Sequence, residues 1–137
     1  MTKLKFWLPP ILWMAVIYLA SGRESIEVSG TYLINFIFFK TLHLFEYALL
    51  YLLSWRAIRN TFVSRNNHLF VLAAFLLTVV YAISDELHQS FVPTRESRVR
   101  DVIIDAAGAA TAWILHAKLL PKAPEKLKKW ARRLAII

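Results

Sequence analysis

The chain has 137 residues, enough for one domain, and 58% of them are hydrophobic, which is more than soluble domains usually contain. It has no cysteine, which excludes disulfides, thiolate metal sites and a catalytic thiol. The net charge is +8, but the basic residues lie between apolar segments and not along one polar face, so the charge does not indicate nucleic-acid binding. This composition favours a membrane protein.

Four apolar stretches are long enough, or nearly so, to cross a bilayer as helices, which takes about 17–25 residues. The first follows Lys3 and Lys5 and looks like a signal-peptide core, but no A-x-A site follows it, so we predict an uncleaved anchor. The sequence therefore predicts a single all-α membrane domain over the whole chain. Its four transmembrane helices cover residues 6–20, 36–55, 68–84 and 102–120.

Residues 124–137, PEKLKKWARRLAII, follow the last apolar stretch. Leu127, Trp130, Leu134 and Ile137 are at helical spacing, and Lys and Arg fill most of the other positions. This pattern predicts a C-terminal amphipathic helix that lies on an anionic membrane leaflet. A solvated charged tail is the alternative interpretation.

The distribution of charge predicts the orientation of the spans. Twelve of the 17 Lys and Arg residues fall on the side of the two termini, and eight of the nine Asp and Glu residues belong to the other side or the adjoining halves of the spans. Because cytoplasmic loops carry the excess of positive charge, we expect both termini to lie in the cytoplasm.

With this topology, three spans bring ionisable side chains to a similar depth near the outer surface. At 1.5 Å per residue, Asp85, Lys40 and Asp105 lie about 22–25 Å from the cytoplasmic ends of their helices. Such groups are costly in a bilayer unless they are paired or hydrated. We therefore expect spans two, three and four to surround a polar pocket that opens outward. It would collect Lys40, His43, Glu46, Asp85, Glu86, His88, Arg95, Asp101 and Asp105.

Helical spacing places these side chains on shared faces of their spans. Glu86 is turned aside, toward the rim of the expected pocket. Gly108 and Ala112 continue the face of the two Asp residues on the fourth span and would let another helix approach closely. The shared faces hold Lys40, His43, Glu46 and Tyr47 on the second span, Asp85, His88 and Gln89 on the third if the helix continues that far, and Asp101 and Asp105 on the fourth.

Three motifs in KTLHLFEYALL and SDELHQSFVPTRESRVRDVIIDAAG resemble the VanZ-like family of small bacterial membrane proteins: K-x-x-H-x-x-E-Y, D-E-x-H-Q-x-F-x-P-x-R and D-x-x-x-D-x-x-G. The resemblance covers about residues 40–112, and Thr94 and Ala112 stand where the family often has Gly. It implies a multi-pass protein of the bacterial inner membrane with a link to low-level teicoplanin resistance, but no defined reaction. Its motif residues here are Lys40, His43, Glu46, Tyr47, Asp85, Glu86, His88, Gln89, Arg95, Asp101 and Asp105.

One hypothesis is an enzyme that acts on an envelope lipid or a lipid-linked head group. Carboxylates beside histidines can perform general acid–base catalysis. Glu86 or Asp85 would be the base, and His88 would orient it or shuttle the proton. Lys40 and Arg95 would hold a phosphate or carboxylate. The candidate catalytic residues are Asp85, Glu86, His88, His43, Glu46 and Asp105, and the candidate substrate-binding residues are Lys40, Tyr47, Gln89, Arg95 and Asp101.

Other hypotheses remain open from the sequence. His43 and Glu46 are at i, i+3, so they could join His88 and Asp85 or Asp105 around a metal ion, although there is no HExxH motif. No cofactor is indicated. The same pocket would serve a protein that binds a lipid or the antibiotic's acyl-sugar part without turnover. A small proton-coupled carrier or flippase is another hypothesis, but four spans are few unless the chain forms a homo-oligomer. The charges could also simply hold three helices together.

Overall fold

The computed structural model describes residues 3–23, 29–63, 66–93, 95 and 97–136. This part of the chain is helical and contains no strand, which confirms the all-α prediction. A π-helical turn (Leu115–Leu119) and a 3₁₀ turn (Leu120–Lys122) prolong the fourth helix. The helices are α1 (Leu4–Ser21), α2 (Tyr32–Thr61), α3 (Asn67–Gln89), α4 (Val99–Ile114) and α5 (Glu125–Arg133).

Four of these segments are long and apolar enough to cross a bilayer, and they coincide with the four predicted spans. Each is longer than predicted: they are Leu4–Ser21, Tyr32–Thr61, Asn67–Gln89 and Val99–Lys122. α2 has 30 residues, or about 45 Å, which exceeds the roughly 30 Å of a hydrocarbon core. α3 continues to Gln89, as the expected shared face requires.

Large apolar side chains cover the outside of the bundle. On α3, six of them are more than half exposed: Leu69, Leu72, Leu76, Val80, Ile83 and Leu87. A continuous apolar surface of this kind is unstable in water and is suited to contact with lipid tails. The chain is therefore a multi-pass membrane protein.

The helices alternate in direction, so α1 and α3 run one way and α2 and α4 run the other. Two ends of the bundle can be distinguished. The polar end comprises the end of α1, the start of α2, the end of α3 and the start of α4. The opposite, terminal end comprises the start of α1, the end of α2, the start of α3 and the end of α4. The ionisable residues of the predicted site all lie toward the polar end.

α2 and α4 are parallel and pack very closely. Lys40 faces Asp101 near the polar end, and the rings of Trp55 and His116 are 4.7 Å apart near the terminal end. Between these contacts, a Cβ atom at Gly108 would overlap the backbone carbonyl of Leu44, so only glycine permits this approach. The predicted close contact at Gly108 is confirmed, and it fixes the depth at which the charged residues of the two helices meet.

The C-terminal helix α5 is amphipathic. Leu127 is 50% exposed and Trp130 is 61% exposed, while Ala131 is buried. Lys128 and Arg132 hydrogen-bond the Glu125 carboxylate and hold its pKa below the usual value. The predicted C-terminal helix is confirmed. The membrane leaflet as its partner stays a prediction, and Ile137 lies outside the described residues.

After α5 the chain turns back at Ala135, whose φ of 54° is in the left-handed region, and attaches to the terminal end of α2. Three successive carbonyl groups accept hydrogen bonds from side chains of that helix. Arg56 Nε bonds the Leu134 carbonyl at 2.7 Å, Asn60 Nδ2 bonds Ala135 at 3.1 Å, and Trp55 Nε1 bonds Ile136 at 2.9 Å. The tail is thus held to the bundle through its backbone.

Candidate functional site

Two contacts between a basic and an acidic side chain connect α2 to α4. Lys40 Nζ lies 2.8 Å from Asp101 Oδ2. About one helical turn further along, His43 Nδ1 lies 3.3 Å from Asp105 Oδ1, and Asp105 is only 1% exposed. Neither Asp105 oxygen nor His43 Nδ1 has an aligned hydrogen bond among the described residues. The first pair is therefore a direct ion pair, and the second is an electrostatic contact that orients the imidazole.

Asp85 is the hub of a second network, which joins α1, α2 and α3. Its carboxylate is 2% exposed. Ser21 donates to Oδ1 at 2.5 Å, and Tyr47 and Gln89 donate to Oδ2 at 3.2 and 2.9 Å. Buried carboxylates need such donors because they lose their hydration. Asp85 therefore organises three helices and is not exposed to a ligand.

Arg95, in the segment between α3 and α4, extends this network toward the surface. One of its terminal nitrogens donates to Gln89 Oε1 at 3.1 Å, and its Nε donates to the carbonyl of Arg23 at 3.0 Å. Gln89 in turn binds Asp85. The guanidinium is thereby fixed over the end of α1.

Glu86 is not at the rim of a pocket, so that prediction is wrong. Its side chain is 4% exposed, and Oε2 accepts a hydrogen bond of 3.2 Å from the backbone amide of Arg98, the residue that precedes α4. Helical spacing alone did not reveal this, because the loop after α3 folds back over the face that Glu86 occupies. Glu86 holds the start of α4.

His88 also differs from its expected place. It is on the α1 side of α3, where its ring stacks on Tyr18 with 4.0 Å between centroids and lies next to Gly22. Its Nδ1 is buried and has no hydrogen-bond partner among the described residues. His88 is thus separated from the two ion pairs of α2 and α4.

A cavity of about 170 Å³ opens between α1 and α2 at the polar end. The prediction that spans two, three and four surround the pocket is wrong in this respect, because α1 forms one wall and no residue of α3 or α4 lines it. Arg95 covers it from the α3–α4 segment. The lining residues are Ile17, Ala20, Ser21, Arg23, Phe39, Leu42, His43, Glu46 and Arg95.

Three of the predicted site residues line this cavity: His43, Glu46 and Arg95. Sequence reasoning missed Ser21 and Arg23, both of which it assigned to the loop after the first span. The available signal was their position directly after an apolar span, at the same depth as Asp85. The other predicted residues do not line the cavity but lie in contacts between the helices. They are Lys40, Tyr47, Asp85, Glu86, His88, Gln89, Asp101 and Asp105.

Glu46 is the cavity residue whose carboxylate is free to bind a ligand. Its side chain makes no hydrogen bond or ion pair within the part of the chain that the structure describes. The charges that act on it are His43 and Arg95, which attract it, and Asp85 and Asp105, which repel it. Its backbone carbonyl accepts a 2.9 Å hydrogen bond from Trp13 Nε1, which ties α1 to α2 beside the cavity. The cavity therefore contains a carboxylate available to a ligand.

The structure does not assemble the metal site that was considered from the sequence. Among the described residues, no three His, Asp or Glu side chains are grouped so that they could hold a metal ion. His43 faces Asp105, while His88 faces Tyr18 on the other side of α3. The two histidines cannot share one ion in this arrangement.

Four apolar spans with a cluster of buried ionisable residues at one end define a multi-pass membrane protein with an internal polar site. The VanZ/LLP1 family model matches residues 6–120, so the chain belongs to the VanZ/LLP1 family. This confirms the resemblance drawn from the three motifs and extends it to α1, which supplies a wall of the cavity. Neither the curated proteins nor the solved structures contain a match.

Proposed function

We propose that the protein binds the phosphorylated head group of an envelope lipid, or of a lipid-linked precursor, in the cavity between α1 and α2. The observation that carries the proposal is the pairing of two guanidinium-bearing residues, Arg23 and Arg95, with the apolar lining residues Ile17, Phe39 and Leu42. Guanidinium groups bind phosphate oxygens through paired hydrogen bonds. Apolar walls next to them are suited to the first carbons of a lipid chain.

The hydrogen-bond partners of the two arginines support this assignment. Arg95 is positioned through its bonds to Gln89 and the Arg23 carbonyl, while the side chain of Arg23 has no partner among the described residues. Lys40, which was predicted to bind substrate, is engaged with Asp101. Arg23 takes over the role that was assigned to Lys40.

The predicted orientation makes the outer leaflet the expected source of the ligand. From the excess of Lys and Arg near both termini we infer that the termini lie in the cytoplasm and that the polar end faces outward from the bacterial inner membrane. A protein that holds a lipid-linked head group on that surface would compete with, or shield, the target of a lipoglycopeptide antibiotic. This agrees with the link of VanZ-like proteins to teicoplanin resistance.

Lipid binding by the purified chain tests the proposal. Native mass spectrometry of the detergent-solubilised protein should show one bound phospholipid, and Arg95→Gln or Arg23→Gln should weaken binding about ten-fold or more, as the loss of charge-assisted hydrogen bonds implies. Arg59→Gln, at the terminal end, removes the same charge and should not change binding. Equal binding by all three variants and the wild type would contradict the proposal.

A second candidate function is acid–base catalysis on the bound lipid. His43 lines the cavity and its Nδ1 faces Asp105 at 3.3 Å, an arrangement in which a carboxylate orients a histidine base. Under this hypothesis His43→Gln would retain lipid and lose turnover, as followed by mass spectrometry of the lipid after incubation. If the wild-type protein leaves the lipid chemically unchanged, catalysis is excluded and the function is binding.

A further inference from the structure

The cavity has basic side chains at its mouth and an acidic side chain at its floor. Arg23, at the end of α1, and Arg95, bound to its carbonyl, lie at the mouth. Glu46 is seven residues further along α2 than Phe39, the first α2 residue of the lining, or about 10 Å deeper. A head group that reaches from mouth to floor would thus meet cations first and a carboxylate afterwards.

The negative charge at the floor is in excess. His43 is directed to Asp105, and Lys40 is engaged with Asp101. Within the part of the chain that the structure describes, Asp85 is held by uncharged donors only, namely a serine, a tyrosine and a glutamine. Glu46 therefore makes no ion pair among the described residues. His43 and Arg95 attract it, but the like charges of Asp85 and Asp105 repel it. A positive group on the ligand would relieve this repulsion.

We propose that the cavity selects a head group that carries a primary ammonium close to its phosphate, with the phosphate at Arg95 and Arg23 and the ammonium at Glu46. The inference rests on the proposed function, since it concerns the same cavity. An ammonium with N–H groups can donate charge-assisted hydrogen bonds to the Glu46 carboxylate. A head group that ends in hydroxyls forms weaker, uncharged hydrogen bonds there.

The walls also discriminate against a quaternary ammonium. A trimethylated nitrogen has no N–H to donate and is recognised by several aromatic faces around it. Among the lining residues described, Phe39 is the only Phe, Tyr or Trp. The cavity of about 170 Å³ is also small for a bulky cation beside a phosphate. Selection should therefore favour the primary amine over both the alcohol and the quaternary amine.

The test compares three short-chain phospholipids that differ only in the head group: phosphatidylethanolamine, phosphatidylglycerol and phosphatidylcholine. Each is titrated into the delipidated full chain in a nonionic detergent, and binding is measured by calorimetry. The wild type should bind the ethanolamine lipid about ten-fold more tightly than the other two, the usual effect of one charge-assisted hydrogen bond. Free O-phosphoethanolamine, without acyl chains, should be preferred over free glycerol phosphate to a similar degree.

Substitution of Glu46 identifies the selecting group. Glu46→Gln should abolish the preference while phosphate-dependent binding of all three lipids remains. Glu46→Asp keeps the charge and should keep the preference in reduced form, which guards against a Gln variant that does not fold. Glu125→Gln removes an exposed carboxylate at the terminal end and should have no effect.

The outcomes separate this inference from the proposed function. Equal binding of the three lipids by the wild type would overturn selection by Glu46, while the lipid-binding function would stand. A preference that persists in Glu46→Gln would also overturn it. No binding of any lipid would overturn both.

Discussion

The Ser21 hydroxyl on α1 donates a 2.5 Å hydrogen bond to Oδ1 of Asp85 on α3, and both side chains are buried. Tyr47 and Gln89 bind the other carboxylate oxygen, so Oδ1 depends on Ser21. Neither residue could be paired with the other from the sequence, because the contact depends on how α1 packs against α3. This contact includes α1 in the site and positions a wall of the cavity.

Ser21→Ala should destabilise the protein by about 1–3 kcal/mol, because a buried carboxylate oxygen loses its donor. Thermal unfolding of the purified protein in detergent measures the loss. Ser84→Ala is the matched control, since the Ser84 hydroxyl is exposed and bonds only the Tyr81 carbonyl of its own helix. If the two variants unfold at the same temperature, the Ser21–Asp85 bond contributes nothing to stability.

Lys40→Met and Asp101→Asn should each destabilise the protein, and the double variant should lose less than the sum. The two groups form a 2.8 Å ion pair with little solvent exposure. Asp101→Asn removes the counter-charge of Lys40, while Lys40→Met leaves Asp101 with only the more exposed Arg100, whose Nε lies 3.3 Å away. A coupling of about 0.5–3 kcal/mol is expected for such neighbours. Lys40→Met combined with Asp105→Asn is the control, because Asp105 faces His43 instead. Strict additivity for Lys40 and Asp101 would contradict the direct pair.

Gly108→Ala should destabilise the bundle by about 1–3 kcal/mol or more, because its Cβ would overlap the Leu44 carbonyl and push α4 away from α2. The Lys40–Asp101 ion pair and the His43–Asp105 contact would both lengthen. Gly30→Ala is the control, since no atom of the described residues lies within 4 Å of a Cβ at that position. Unfolding in detergent compares the two. A Gly108→Ala variant as stable as Gly30→Ala would show that the helices can separate without loss.

The spans and the layer of ionisable residues could be predicted from the sequence because both depend on periodicity along one helix. Apolar length identifies a span, and 3.6 residues per turn place Lys40 and His43 on one face. The pairing of Lys40 with Asp101 and of His43 with Asp105 follows once α2 and α4 are parallel and Gly108 sets their separation. These features need no knowledge of the loops.

The place of the cavity could not be predicted, because it depends on how α1 packs and on how the segment after α3 folds. Arg95 reaches back to the carbonyl of Arg23, and Glu86 is covered by the residues before α4. Neither contact follows from a periodic pattern in the sequence. Thr94, whose position departs from the family pattern, lies outside the described residues, so the effect of that departure stays a prediction.

The orientation can be tested by labelling cysteines introduced into this cysteine-free chain. Arg65 and Glu96, which the predicted topology puts on opposite sides, lie outside the described residues, so Val63 and Gly30 are better positions. Val63 is fully exposed, and a side chain at Gly30 meets no other described residue. An impermeant thiol reagent should label Gly30→Cys in intact cells and Val63→Cys only after permeabilisation. The reverse pattern would place the polar end in the cytoplasm and contradict the proposed ligand source.

Glu86 provides the last test, because its burial changes what its substitution should do. Glu86→Gln keeps an oxygen that can accept the Arg98 amide, so we expect a folded protein with a small loss of stability. Glu86→Ala removes that acceptor and leaves space at the start of α4, so it should lose about 1–3 kcal/mol. Thermal unfolding distinguishes the two variants.

Lipid binding by Glu86→Gln then decides whether Glu86 acts on the ligand. The residue does not line the cavity, so Glu86→Gln should bind phospholipid as tightly as the wild type, in contrast to Arg95→Gln. A Glu86→Gln variant of normal stability that no longer binds lipid would mean that the carboxylate reaches the ligand, and that the loop before α4 opens to admit it. Normal binding would mean that Glu86 has a structural role only. It would fix the start of α4, and so position Asp101 and Asp105 against Lys40 and His43.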